Sequence, residues 1–181
     1  MIMIVVAVLV LTGAVAYGYM KYLPGEGGES RAAAVSKNLL AKAHEAEQKG
    51  DTEEALEYYQ EYLEINAAPP HNTQPEVGGV YASMGNIYYK QFKYTKAIDH
   101  FKKALDHSTQ HVGQQSQQTA DNWLSLASIY DKQGEVKMAL DHYKNNKAIQ
   151  VKLGGDTSKV DKVIDELEHY MVTAKLQSSS S

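Results

Sequence analysis

The chain has 181 residues, a formal net charge of −4 and no cysteine. That length suits one modest folded domain with attachments. The charge leaves no basic face for nucleic acid, and the missing cysteines exclude disulfides, thiolate nucleophiles and cysteine-ligated zinc. The 13 tyrosines stand against 2 phenylalanines and 4 prolines. Tyrosine joins apolar bulk to a polar tip, which suits half-buried seams between helices and interfaces with partners.

Met1 to Met20 carries no charged side chain. Twenty helical residues rise about 30 Å, the thickness of a bilayer's hydrocarbon core. Tyr17, Tyr19, Lys21 and Tyr22 cluster at one end, as anchors at a membrane–water interface do. Residues 1–22 are therefore expected to be a transmembrane anchor. A cleaved signal peptide is the alternative, because Ala14-Val15-Ala16 resembles a cleavage site. No positive charge precedes the apolar run, however, and secretory signals normally carry one. Lys21, Arg31, Lys37 and Lys42 all follow the span. The positive-inside rule then places the remainder on the cytoplasmic or an equivalent side. Pro24, Gly25, Gly27 and Gly28 break the helix, so residues 23–30 are expected to form a flexible tether.

Ser30 is the expected N-cap of the next helix, which runs from Arg31 to Gly50. Here an internal repeat begins. Lys37–Leu63, Gly79–Leu105 and Asp121–Lys147 align without gaps. Ala55, Ala97 and Ala139 fall 42 residues apart, within ALEYY, AIDHF and ALDHY. Ala43, Gly85 and Ala127 form a second small-residue column. Leu39, Tyr81 and Trp123 form a large one, as do Tyr59, Phe101 and Tyr143 and, apart from its small first member, Ala46, Tyr88 and Tyr130. Each unit reads as two helices whose backbones approach at the small residues, with the large ones filling the seam. Gly50 and Gly134 are expected to end the first helices in a left-handed conformation. The second unit has Phe92 there, so its turn is expected to take a different geometry. Asn146, in place of a small residue, is expected to disturb the last turn of the third unit.

These columns resemble those of the tetratricopeptide repeat family, W/L–x2–L–G/A–x2–Y followed by A–x3–F/Y. The period is longer than the family's usual one of about 34 residues and is similar to that of kinesin-light-chain-like repeats. The resemblance covers Ser36 to Gly154. It implies an all-α solenoid of three helix pairs over residues 31–157. It also implies a protein-binding module, not an enzyme, with no cofactor and a groove lined by the first helix of each pair. Carried over column by column, the groove positions are His44, Glu47 and Gln48, then Ser83, Asn86, Tyr89 and Lys90, then Ser125, Ser128, Asp131 and Lys132. The lysine clamp that some members use for a C-terminal carboxylate is incomplete here, because Gln48 stands in the column of Lys90 and Lys132.

Residues 158–176 are expected to form a capping helix. Val160, Val163, Ile164, Leu167, Tyr170, Met171 and Ala174 recur at three- and four-residue spacing along it. Residues 177–181 are expected to be a disordered tail. The proline-bearing stretch Asn66–Pro75 and the glutamine-rich stretch His111–Gln118 read as solvated connectors. His107 and His111 read as surface histidines, since no carboxylate–histidine set of metal-binding spacing accompanies them. No phosphate loop, nucleophile elbow or HExxH motif occurs. The sequence thus points to a membrane-anchored scaffold, adaptor or assembly factor. The alternatives are a permanent subunit of a membrane complex and a secreted domain.

Overall fold

The computed structural model describes residues 31–67 and 74–179. Among these there are seven α-helices and no strand. They are α1 (Arg31–Lys49), α2 (Thr52–Asn66), α3 (Pro75–Lys90), α4 (Tyr94–His107), α5 (Gln117–Lys132), α6 (Val136–Leu153) and α7 (Ser158–Ser179). A π-helical turn, Ser108–Val112, extends α4. The chain divides after Asn72 into two compact units. No described helix is long and apolar enough to cross a membrane. The expected anchor (1–22), the tether (23–30), the Ser30 cap and most of the proline-bearing connector lie outside the described residues.

In the first unit α1 packs against α2. Ala43 and Ala55 are fully buried and let the helices close on each other, while Leu39, Tyr59, Tyr62 and Leu63 fill the seam. The open end of the hairpin is pinned by polar groups: Asn66 Nδ2 donates to Ser36 Oγ and to the Tyr62 carbonyl, each at 2.9 Å. Both residues are buried, so each bond replaces one that water would otherwise supply.

The second unit stacks the hairpins α3–α4 and α5–α6 and adds α7. Its core holds Ala97, Phe101, Leu126, Ala127, Ile129, Tyr130, Ala139, Leu140, Tyr143 and Ile164. A Cβ at Gly85 would sit 3.0 Å from the Phe101 ring, tight enough to move it, so glycine is what brings α3 this near α4. Within this hairpin the small column at Gly85 thus meets the large column at Phe101.

Several expectations need correction. Phe92 does not change the turn of the second hairpin. It adopts the left-handed conformation itself, at φ 58°, as Gly50 does at 87° and Gly134 at 75°. The bonding is the same too. Phe92 N donates to the Tyr89 carbonyl and Lys93 N to that of Tyr88, matching Gly134 to Asp131 and Glu135 to Tyr130. Asn146 does not break the helix: α6 continues to Leu153, and Asn146 Nδ2 donates to the Ala120 carbonyl at 2.8 Å across the hairpin, although its buried Oδ1 has no partner. His107 is buried, not on the surface, and its ring lies where a Cβ at Gly78 would meet Nδ1 at 2.7 Å.

The His111–Gln118 connector is exposed at His111, Val112, Gln114, Gln115 and Gln117, as its composition suggests. Its start nonetheless continues the helix. Gly113 N closes the π turn on the Ser108 carbonyl at 2.7 Å, and Ser108 Oγ accepts from Thr119 and Asn122 inside the core. Ser116 caps α5 by accepting from Thr119 N.

The capping helix covers less than its apolar stripe suggests. Ile164 is buried, and Val160, Val163 and Leu167 pack on the same core. Lys144–Glu168 and Lys147–Asp161 ion pairs, both at 2.6 Å, fasten that half of α7 to α6. Beyond them Tyr170, Met171, Val172 and Leu176 are exposed. Gln177–Ser179 belong to α7 and not to a tail, and residues 180–181 lie outside the described set.

Candidate functional site

Four of the groove positions come together in the second unit. Asn86 and Tyr89 on α3 face Ser125 and Ser128 on α5 across a cleft of about 240 Å³, which Phe101 and Leu124 also line. Helix geometry explains the set: residues three and four apart share a face, so Asn86 with Tyr89, and Ser125 with Ser128, present neighbouring side chains. Phe101 reaches the cleft from α4 because Gly85 leaves its ring room.

The polar groups are not equivalent. Ser125 Oγ donates to the Asp121 carbonyl and Ser128 Oγ to that of Leu124, both at 2.9 Å. Each hydroxyl proton is thus committed to the helix backbone; the Ser125 oxygen keeps acceptor capacity, while the Ser128 oxygen also accepts from the Tyr143 phenol. Asn86 is exposed and offers both an amide donor and an acceptor. Behind the serines, burial raises the Tyr143 phenol above its ordinary value, so it stays neutral. Uncharged acceptors and donors around an apolar lining suit a peptide backbone and an apolar side chain.

The other positions lie differently. In the second unit Ser83 is half-buried, while Lys90, Asp131 and Lys132 are exposed and do not line the cleft. In the first unit Glu47 accepts from the Tyr59 hydroxyl at 2.9 Å, and the His44 ring packs edge-on against Tyr59 with centroids 5.9 Å apart. Glu47 thus serves the α1–α2 seam, while His44 and Gln48 are exposed. Among the described residues no group of three or more His, Cys, Asp or Glu could hold a metal.

Sequence reasoning missed Phe101 and Leu124 as cleft residues. Phe101 stood in a core column, and Leu124 belonged to none of the columns. The signal was there in Gly85, smaller than its counterparts Ala43 and Ala127, which opens the seam beside Phe101.

Stacked helix hairpins with a lined cleft define a helical-repeat protein. Residues 77–145 match one family model described as tetratricopeptide repeat, and residues 36–69 match a second of the same description. Between them they span more than half the chain, which belongs to the tetratricopeptide repeat family. Solved structures agree in fold. BtubC (BKLC) from P. vanneervenii superposes with a TM-score of 0.64 at 17% identity, over 90% of this chain and 71% of that one. The N-terminal domain of stress-induced protein-1 (STI-1) from C. elegans gives 0.60 at 16%, over 75% and 98%. The TPR2B domain of yeast Sti1, solved in a pHsp70 complex, gives 0.56 at 15%, over 76% and 98%. No curated protein matches the sequence.

Proposed function

We propose that the chain is a membrane-anchored scaffold, an adaptor or assembly factor, that holds a peptide or helix of another protein in the α3–α5 cleft. The cleft itself carries this reading: Asn86, Tyr89, Ser125 and Ser128 converge over Phe101 and Leu124. Repeats of this family generally mediate protein–protein contacts. The yeast relative was solved with pHsp70, which gives the same fold a precedent for holding a partner. The anchor rests on the uncharged run Met1–Met20, and the cytoplasmic or equivalent side rests on the lysines and arginine that follow it. The partners are then subunits of a membrane complex.

Co-purification of the full chain from its native membrane in mild detergent tests the reading. Asn86→Ala with Tyr89→Ala should lower recovery of the partner while helicity stays unchanged. Unaltered recovery would remove the cleft from the account. Alkaline extraction tests the anchor: release of the chain from the membrane would contradict it.

The alternative of a permanent complex subunit draws on one observation, the bare end of α7. Tyr170, Met171, Val172 and Leu176 are exposed on a helix whose first half is packed. A stoichiometric complex that survives high salt and the cleft substitutions would favour it.

A further inference from the structure

Phe92 occupies a left-handed backbone position that the other two hairpins give to glycine. L residues avoid it because Cβ crowds the following carbonyl, and a bulky residue there is an outlier that calls for a reason. Burial supplies none, since the Phe92 side chain is 78% exposed. Its ring meets Tyr94 edge-on with centroids 6.3 Å apart, and Tyr94 lies 5.9 Å from Tyr89, which lines the cleft. The cleft therefore continues as an aromatic strip, Tyr89–Tyr94–Phe92, out to the tip of the α3–α4 turn.

Charge along this strip has one sign. Lys90, Lys93 and Lys96 are exposed, and no acidic residue occurs between Asn86 and Ile98. Lys96 lies over the Tyr88 ring, 5.3 Å from its centroid. The facing end of α5 contributes Asp131 and Lys132, one charge of each sign. An apolar strip on a turn that also exposes Lys90 and Lys93 suits a segment that carries apolar side chains among carboxylates.

We propose that Phe92, Tyr94 and Tyr89 form an aromatic lip of the cleft that grips an acidic segment of the partner protein by its apolar side chains. This rests on the cleft being the binding surface. A protein segment is favoured over a lipid surface because the strip runs into a cleft whose hydroxyl oxygens and amide match a peptide backbone. The backbone strain at Phe92 is retained for that contact.

Phe92→Gly separates binding from folding, because glycine fits the turn better than phenylalanine does. The full chain in mild detergent is used to select binders from a displayed library of random peptides. Selected peptides should combine Asp or Glu with aliphatic or aromatic residues. Their affinity should fall about tenfold on Phe92→Gly, while the thermal midpoint of that variant holds or rises. Equal affinity on Phe92→Gly, or a lowered midpoint, would overturn the proposal. So would failure to select any peptide, or selection of basic ones. Protection of amides 90–96 by phosphatidylserine nanodiscs without peptide would put a lipid on the lip and also overturn it. Asn86→Ala with Ser128→Ala distinguishes the failures, because both residues line the cleft and neither belongs to the lip. If that variant loses binding and Phe92→Gly does not, the lip is wrong and the cleft stands. If neither loses binding, both are wrong.

Discussion

The Tyr59 hydroxyl donates to the Glu47 carboxylate at 2.9 Å, from the middle of α2 back to the last turn of α1. Tyr59 is fully buried, so its polar tip needs a partner, and Glu47 supplies it from the half-buried edge of the seam. Tyr59→Phe keeps the ring and removes the bond, at a cost of about 1–2 kcal/mol. Glu47→Gln should leave partner binding unchanged, because that side chain serves the fold. Denaturant titration and partner recovery measure the two effects.

Much of this architecture was legible beforehand. Ala43, Ala55, Ala97, Ala127 and Ala139 are all fully buried, where the 42-residue columns place them. Small residues recur only where backbones must approach, so their spacing reports geometry directly. The role of Glu47 was not legible, because a column position says which way a residue points and not which neighbour claims it. Phe92 was misread for a related reason. The hydrogen bonds that close the turn fix its backbone, and they forced the left-handed conformation on a residue that disfavours it. The limit of α7 packing also escaped, because an apolar stripe does not say where the core beneath it ends.

That limit can be measured. Ile164→Ala should cost about 2–4 kcal/mol, as buried aliphatic truncations do. Tyr170→Ala, on the bare half of the same helix, should change stability by about 0.5 kcal/mol or less. Comparable losses at both sites would mean that α7 is packed along its whole length.

At Gly134, φ is 75° and the bonding is that of a helix-ending turn. Gly134→Ala should destabilise by about 1 kcal/mol, although no neighbouring atom lies near the added Cβ. A neutral or stabilising effect would mean that the turn can rearrange.

His100 and His142 hold equivalent positions, each between two aromatic rings. Tyr81 and Tyr88 flank the first, and Trp123 and Tyr130 the second. Each Nδ1–H donates to the carbonyl four residues back, Lys96 at 2.9 Å and Met138 at 2.7 Å. Burial, foremost, pulls both imidazoles below their ordinary value, against the backbone bond, while Lys103 and Lys102 add repulsion and Asp99 and Asp141 oppose it. Their unfolded-state affinity for protons exceeds the folded one. The stability they contribute is complete above the ordinary histidine range and is lost as pH falls through the folded values. Thermal midpoints should therefore drop between about pH 7 and about pH 5, and His100→Gln with His142→Gln should flatten that drop. An unchanged slope in the double variant would assign the loss to carboxylates.

The central claim is that the α3–α5 cleft holds the partner. A benzophenone amino acid placed at Ser125, and separately at Tyr170, tests it most directly when irradiated in the native membrane. The account predicts a single cross-linked protein from position 125 and none from position 170. Cross-linking from position 170 alone would contradict it and make the bare end of α7 the interface.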